Sequence, residues 1–347
     1  MTTNLSRTST GWEFWHPRVF ETPYYLALIG LCARHGLPFK YLAKANYALD
    51  HGEIGIGSKY ATQMAFEQSR FPATGLIDVE LSVEQKRAAL LEFAALHGFP
   101  FVLKPDIGAV GKGLLKINDE SELSEALDAL SCNYIAQAYC DKPSEFGVFF
   151  VRYKGRNRIT GINEKHFPTV IGNGRDDLAA LAKAHERHTP HWQLFLRKLD
   201  TGYVPAKGEA FRLSFVGSHT MGCRFSNDSH LATPALLDAV SAVCDSQPGF
   251  NFGRLDVRTD NTEALQDGDI TLMEANGVAS IPTHMFDPAH RLGRAYQIFL
   301  EHAGWLVRVA AENREQPMNL LPWREILRKT RHNATLLNAV HHTVISS

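Results

Sequence analysis

The chain has 347 residues with 36 basic and 37 acidic side chains, so its formal net charge is -1. This balance gives no electrostatic basis for binding nucleic acid or an anionic membrane. The five cysteines are odd in number and lack Cys-x-x-Cys spacing, which argues against a disulfide framework. No apolar run has the length of a transmembrane helix or signal peptide, so we expect a soluble cytoplasmic protein with two or three subdomains.

The sequence pattern of the first segment, residues 1–75, predicts a small N-terminal α/β domain. The apolar spacing after Pro23 predicts a helix that stops at Gly36, and the following LPFKYLAKA predicts a strand. The loop GEIGIG then leads to a helix that begins near Ser58. Its glycine N–H groups and Lys59 are candidates for binding a substrate carboxylate or a phosphate, and an ordinary surface turn is the alternative.

The second segment, residues 76–160, predicts a helix followed by a β, β, α, β, β order. Ser82 is placed to cap the first helix and Gly98 to close it. The strands are expected in FPFVLKP, GLLKIN, NYIAQAYC and EFGVFFVRYKG, with the second helix capped by Asp119. Paired strands with covering helices are typical of an α+β or α/β enzyme.

The sequence of the third segment, residues 161–347, indicates further alternation of helices and strands. Helices are expected at 176–187, 234–246 and 287–312, and strands at 209–216, 250–258 and 269–275. The C-terminal RKTRHNATLLNAVHH has the pattern of an exposed amphipathic helix, which is a candidate contact in a homodimer.

A glycine loop with a preceding lysine, FVLKPDIGAVGKG, is the first motif with a chemical implication. Glycines let the backbone approach a phosphate chain and turn N–H groups toward it. The loop is not a P-loop, because Lys112 is followed by glycine and a strand is expected next. A flap over nucleotide phosphates, with Lys104 as a charge beside it, is one interpretation; an ordinary hairpin with a solvated lysine is the other.

Polar residues at period two mark a second motif in two predicted strands. Arg254 and Asp256 share a face in NFGRLDVR, and Glu274 and Asn276 share a face in LMEAN. Carboxylate and amide oxygens on neighbouring strands suit one or two Mg²⁺ ions that also contact phosphate oxygens. Two strands with exposed polar faces are the simpler alternative, but an acid inside an apolar run usually has a metal or cation partner.

The order of these motifs resembles the ATP-grasp superfamily, over roughly residues 95–285. Within it, the chain is similar to the D-alanine–D-alanine ligase-like and cyanophycin-synthetase-like carboxylate–amine ligases. The resemblance implies an ATP-grasp fold, in which two α+β subdomains hold the nucleotide between them. It also implies ATP and two Mg²⁺ ions, which Mn²⁺ can replace, and small-molecule carboxylate and amine substrates.

The resemblance assigns roles residue by residue. It places the ATP phosphates on Lys104 and on the backbone of Gly108, Gly111 and Gly113, the adenine at Gln137, Ala138 and Tyr139, and the ribose at Glu145. It makes Lys165 the second phosphate-directed cation and places Arg254 on the transferring phosphate, Mg²⁺ on Asp256, Glu274 and Asn276, and the substrate at Gly277 and Ser280. The chain departs from the family where Gln137 and Ala138 replace an acidic pair and where Asn173 replaces the aspartate of a GDG element.

The implied reaction forms an amide or peptide bond through an acyl phosphate. A kinase-like phosphotransferase that releases a phosphorylated product uses the same nucleotide site, and a non-catalytic nucleotide-binding regulator is a third possibility. The intact set of Lys104, Asp256, Glu274 and Asn276 argues against a degenerate site.

Overall fold

The computed structural model describes residues 11–107, 111, 113–185, 196, 199–219 and 222–339. The helices are α1 (Pro17–Arg34), α2 (Lys59–Met64), α3 (Val83–His97), α4 (Leu123–Ala129), α5 (Leu178–Ala184), α6 (Pro234–Asp245), α7 (Thr262–Gln266), α8 (Leu292–Glu312) and α9 (Trp323–Ala339). The strands are β1 (Thr74–Ile77), β2 (Phe101–Pro105), β3 (Leu115–Ile117), β4 (Tyr134–Ala138), β5 (Ser144–Tyr153), β6 (Arg156–His166), β7 (Thr169–Ile171), β8 (Ala210–Arg212), β9 (Arg224–Asn227), β10 (Phe252–Thr259) and β11 (Thr271–Asn276).

Three sheets form from these strands. One has four strands in the order β1-β4-β2-β3, one has five in the order β11-β10-β5-β6-β9, and β7 pairs with β8. Every strand pair is antiparallel. The predicted α+β class with antiparallel pairs and covering helices is therefore confirmed.

The four-stranded sheet packs one face on α3 and α4. Along β2, Phe101 and Leu103 are fully buried in that interface, whereas Lys104 lies on the opposite face. Helix α3 begins with a capping box in which the Ser82 hydroxyl and the Gln85 side chain each accept a backbone N–H of the other residue. It ends at Gly98, whose φ of +81° is easily adopted only by glycine.

The five-stranded sheet has one apolar and one polar face. Leu255 and Val257 of β10 join Phe146 and Val148 of β5 in a core closed by α6. Because side chains alternate along a strand, Arg254, Asp256 and Arg258 lie on the opposite face. Burial of one face therefore fixes the register that collects charged residues on the other.

The N-terminal region differs from its prediction. Helix α1 begins at Pro17, six residues before the expected start at Pro23, because Pro17 suits the first helical turn and His16 Nδ1 accepts the Arg18 N–H. The strand expected over 37–45 is wrong: Phe39–Asn46 is a 3-10 helix. Its last five residues are consecutively buried rather than alternating, and the segment packs on α8.

The described residues before β1 therefore form helices and turns without a sheet of their own. The boundaries at 75 and 160 stay a prediction. Strands β1, β6, β7 and β9 and helix α7 have no counterpart among the predicted elements, whereas the C-terminal amphipathic helix is present as α9. Among the helices that the structure describes, none combines the length and apolar character needed to cross a membrane.

Candidate active site

A row of residues crosses the polar face of the five-stranded sheet. Asp256 of β10 is paired with Glu274 of β11 on one side and with Gly147 of β5 on the other. Gly147 is in turn paired with Asn163 of β6. Directly opposed residues of neighbouring strands have side chains on the same face. Two acids that lie 18 positions apart in the sequence are therefore side by side.

Parallel rows flank this one. Arg254 is paired with Asn276 and Phe149, and Arg258 is paired with Glu145. The predicted phosphate and metal residues of β10 and β11 thus come together on one wall. This wall faces Lys104 of the four-stranded sheet, whose Nζ lies 3.3 Å from the carbonyl oxygen of Met273 in β11.

Asp256 is the most strongly paired carboxylate of this wall. Arg254 donates to it twice, from Nε at 2.7 Å and from a terminal nitrogen at 3.1 Å, and Lys165 Nζ lies 3.1 Å away. Burial opposes ionisation of Asp256, but these cations outweigh it and hold its pKa well below the usual range. Asn276 Nδ2 lies 3.4 Å from the same carboxylate, so the predicted metal residue is within reach of Asp256.

Glu145 forms a second paired carboxylate. Its two oxygens accept from Lys165 Nζ at 2.8 Å and Arg258 Nε at 2.9 Å. Burial would raise the pKa of Glu145, but Lys165 and Arg258 lower it. Conversely, burial would lower the pKa of Lys165, but Asp256 and Glu145 raise it. Glu145, the predicted ribose contact, thus forms ion pairs with two cations in this structure.

Lys59 reaches the site from the start of α2 and forms an ion pair with Glu274. The position of α2 is set by Asp106, whose carboxylate accepts the Ser58 hydroxyl at 2.9 Å and the Tyr60 N–H at 2.7 Å. Burial would lower the pKa of Lys59, but Glu274 raises it. Lys59 therefore stays charged beside a predicted metal ligand.

Lys104 has no carboxylate partner among the described residues. Besides the Met273 carbonyl, its Nζ donates to Gln137 Oε1 at 3.2 Å. Burial lowers the pKa of Lys104 to about 8, and Lys59 adds to the effect. A half-buried ammonium with neutral partners is suited to an incoming anion.

The glycine loop is only partly described. Gly108 lies outside the described residues, and Gly111 and Gly113 have φ of +73° and +71°. A Cβ at Gly111 would overlap Val216, so the loop contacts the segment 214–218. Gly217 of that segment covers the site, because a Cβ there would lie 3.0 Å from Glu145 Oε1 and from Lys165 Cδ.

The predicted adenine contacts lie at the end of β4. Residues 138–142 line a cleft of about 700 Å³ together with residues 69–72 and 269–271. Ala138 and Tyr139 are in this lining, whereas Gln137 is buried and holds Lys104. The Ala138 N–H already donates to Ala73 at 2.9 Å. The assignment of these residues to adenine stays a prediction.

The predicted substrate residues lie in the turn after β11. The Ser280 hydroxyl is buried and donates to the Gly277 carbonyl at 2.7 Å, so it stabilises this turn. The Gly277 N–H donates to Glu53 Oε2 at 3.0 Å. Glu53 comes from the loop before α2 and was not among the predicted site residues.

The donor set fits Mg²⁺ in its chemistry. Asp256, Glu274 and Asn276 supply hard oxygen atoms on adjacent strands, with both acids in one row. Among the described residues, no group of three or more His, Cys, Asp or Glu side chains suits a metal. The fit to Mg²⁺ therefore depends on two carboxylates and one amide oxygen. In this structure each of the two carboxylates forms an ion pair with a cationic side chain.

Besides Glu53, sequence analysis missed three further neighbours of the site: Arg258, Gly147 and Asn163. The first continues the period-two pattern of Arg254 and Asp256, which was a usable signal. Strand register brings Gly147 and Asn163 next to each other in the site. The contact is close, since a Cβ at Gly147 would overlap Asn163 Oδ1 and lie 2.9 Å from Arg254 Cδ. No local sequence pattern predicts such a cross-strand contact.

Comparison with solved structures gives matches of low similarity. A bifunctional glutathione synthetase from Pasteurella multocida is 15% identical, with 70% of this chain and 36% of that chain covered and a TM-score of 0.36. A D-alanine–D-alanine ligase from Bacillus anthracis complexed with ATP is 13% identical, with 81% and 68% covered and a TM-score of 0.40. The VanG D-Ala:D-Ser ligase from Enterococcus faecalis is 13% identical, with 74% and 62% covered and a TM-score of 0.43.

These matches include a D-alanine–D-alanine ligase, which is the kind of enzyme that the motif order resembles. No protein-family model and no curated protein matches the chain. At these TM-scores and identities the structural matches carry no conclusion about reaction or substrate. The chain also spans only about a third of the glutathione synthetase chain.

Proposed function

We propose that the protein is an ATP- and Mg²⁺-dependent ligase that joins a small carboxylate to a small amine. The observation that carries this proposal is the convergence of Lys59, Lys104, Lys165 and Arg254 around the paired acids Asp256 and Glu274. Four cations beside two adjacent hard-oxygen donors suit a triphosphate with its metal. The cations come from both sheets and from α2, so the triphosphate is proposed to lie between them.

The first step of the proposed reaction activates the carboxylate. A substrate carboxylate oxygen attacks the γ-phosphorus, the new O–P bond forms, and the bond to the β-phosphate oxygen breaks to release ADP. Positioning and charge neutralisation dominate such a transfer. Arg254 and Lys165 are proposed to contact the transferring phosphoryl group, and Lys104 the phosphates nearer the nucleoside. Bound Mg²⁺ supplies further positive charge at Asp256, Glu274 and Asn276.

The second step forms the amide bond. The amine nitrogen attacks the acyl carbon, inorganic phosphate leaves, and the nitrogen loses a proton. Water must be kept from the acyl phosphate, which otherwise hydrolyses. The segment 214–218, which touches the glycine loop at Gly111 and covers Lys165, is placed to exclude it.

Phosphate release by the purified chain tests this function. ATP and Mg²⁺ are supplied with amino acids singly and in pairs, and products are identified by mass spectrometry. The ligase requires two substrates and yields a condensed product. Turnover with one substrate and a stable phosphorylated product would instead establish the phosphotransferase.

Glu274→Gln tests the metal assignment within the same assay. The change removes one charge from the donor pair, and we expect it to abolish Mg²⁺-dependent turnover. Glu263→Gln, an exposed acid on α7, is the matched control and should leave turnover unchanged. Retained activity in Glu274→Gln would refute the metal assignment.

A further inference from the structure

A group of cations surrounds Trp305 of α8 at the turn between β5 and β6. The Arg158 guanidinium lies 5.4 Å from the centroid of the Trp305 ring, and the Arg308 guanidinium lies 4.3 Å from it. The Tyr153 ring meets the Trp305 ring edge to face at 6.0 Å. Lys154 Nζ in turn lies 5.5 Å from the centroid of the Tyr153 ring. Three cations are therefore in contact with two aromatic rings.

Strand pairing adds Arg156 to this group. Arg156 is paired with Tyr153 across the turn, so the two side chains lie on one face of the hairpin. Arg156 is exposed, and its backbone carbonyl accepts a hydrogen bond from Arg158 at 3.1 Å. We call the two aromatic rings and the four cations, Lys154, Arg156, Arg158 and Arg308, the basic cluster.

The cations of the basic cluster lack carboxylate partners. Among the described residues, none of the four forms an ion pair, whereas Arg152 beside them is paired with Asp245. Glu312 contacts the cluster through the backbone, because both of its carboxylate oxygens accept the Lys154 N–H at 3.0 Å. Four positive charges therefore stand against this one acid, and the basic cluster carries an excess of positive charge.

Stacking on Trp305 prepares the two arginines for an anion. A guanidinium that lies on an aromatic face keeps its N–H groups at its edge, in a fork that matches the oxygens of a phosphate group. Arg308 Nε donates to the Gly304 carbonyl at 2.9 Å, and one terminal nitrogen of Arg158 donates to two backbone carbonyls. At least one terminal nitrogen of each arginine has no hydrogen-bond partner among the described residues and is not buried.

We propose that the basic cluster is a binding site for a phosphate group, borne either by a soluble phosphate compound or by a lipid headgroup. A phosphate monoester carries a charge of about −1.5 to −2 at neutral pH and offers three acceptor oxygens. A carboxylate carries a single charge and two oxygens. The excess positive charge and the number of free donors therefore favour a phosphate group over a carboxylate.

The basic cluster is separate from the candidate active site. Glu145 is the second and Tyr153 the last of the ten residues of β5, so at roughly 3.3 Å per residue they lie about 26 Å apart. The proposed triphosphate site at Lys165 and Arg254 is at the Glu145 end of the sheet. Phosphate binding at the basic cluster therefore does not depend on the proposed ligase function.

Two probes distinguish the sources of the phosphate group. Inorganic pyrophosphate is titrated by calorimetry, and phosphatidylcholine vesicles that contain or lack phosphatidic acid are sedimented with the protein. We expect the wild type to bind pyrophosphate, or to sediment only with the vesicles that contain phosphatidic acid. The affinity should fall about tenfold or more in Arg156→Gln/Arg308→Gln, because charge-assisted hydrogen bonds are lost.

Arg156→Glu is a second variant that leaves the stacking on Trp305 intact. Its side chain is exposed and makes no hydrogen bond or ion pair with a described residue, so the variant should unfold at the wild-type temperature and still bind the probe more weakly. Arg18→Gln is the matched control, since Arg18 is an exposed arginine of α1 without an ion pair among the described residues. It should bind the probe as the wild type does.

Three results would overturn the inference. The first is that the wild type binds neither probe, and the second is an affinity that is unchanged in Arg156→Glu. The third is binding that is lost in Lys165→Met and retained in both arginine variants, since this result would place the anion in the candidate active site.

Discussion

The two larger sheets contribute unequally to the site. The five-stranded sheet presents Arg254, Asp256, Arg258, Glu145, Lys165, Glu274 and Asn276 on one face. Among the described residues, the four-stranded sheet contributes Lys104, which is bound to a carbonyl and an amide, and Lys116, which lies over the Tyr139 ring. The ion pairs therefore lie on one wall of the cleft, the charged wall, whereas the described lysines of the other wall, here called the neutral wall, have uncharged partners.

This difference indicates a division of labour. Buried ion pairs hold the side chains of the charged wall in fixed positions before any ligand binds, which is what stabilisation of a transferring phosphoryl group requires. The described residues of the neutral wall form no such network, so Lys104 can respond to the nucleotide. Substitutions in the first wall should affect stability and chemistry together, and those in the second mainly nucleotide affinity.

The largest effect is expected for Asp256→Asn. The amide leaves Arg254 buried without its carboxylate, and breaking a buried ion pair in this way costs about 3 kcal/mol or more. Urea denaturation should show this loss, and turnover should disappear with it. Asp260→Asn is the control, because Asp260 is exposed and lies 3.8 Å from Lys142. Its free energy of unfolding should change by less than about 1 kcal/mol. Equal stability of both variants would show that the charged wall is not prearranged as described.

A smaller effect on turnover is expected for Gly147→Ala. The added methyl group would overlap Asn163 Oδ1 and lie 2.9 Å from Arg254 Cδ, so Arg254 must move. A displacement of about 1 Å in a positioning residue can lower kcat by about 100-fold. Gly75→Ala, in β1 of the other sheet, is the matched control, since its new methyl group makes ordinary contact with Phe93 at 3.4 Å. Steady-state kinetics should show wild-type kcat for the control, and a wild-type kcat in Gly147→Ala would contradict the crowding around Arg254.

The smallest effect is a pH dependence of nucleotide affinity. The pKa of Lys104 is lowered to about 8, so its ammonium is charged below that pH and loses its proton above it. Phosphate binding favours the charged form, so affinity should fall about tenfold between about pH 7 and about pH 9. Calorimetric titration of ATP across this range measures the effect. Lys104→Arg keeps the charge and should remove this part of the pH dependence; an unchanged profile in that variant would assign it to another group.

The strands that carry the predicted metal residues were accessible from sequence, whereas β6, which carries Lys165, was not. Period-two spacing in NFGRLDVR and LMEAN placed Arg254, Asp256, Glu274 and Asn276 on common faces, and strand register then set both acids side by side. The caps Ser82 and Gly98 also predicted α3 correctly, because their signals are local. The strand predicted over 37–45 failed because packing on α8, a distant contact, decides that segment.

Glu53 shows why the rest of the site could not be predicted. Its position depends on three left-handed residues and on hydrogen bonds to a turn more than two hundred residues later in the chain. The contact of segment 214–218 with Gly111 and Lys165 is likewise a tertiary one. Local patterns indicate a glycine-containing loop in both regions, but they do not say what the loop touches.

Calorimetric titration of the wild-type protein with ATP and Mg²⁺ tests the central claim most directly. The claim is that the cations of both walls hold one triphosphate between them. We expect saturable binding of ATP that weakens in Lys104→Met, from the neutral wall, and also in Lys165→Met, from the charged wall. No heat of binding with ATP or any other nucleoside triphosphate, for a protein shown to be folded, would contradict the claim.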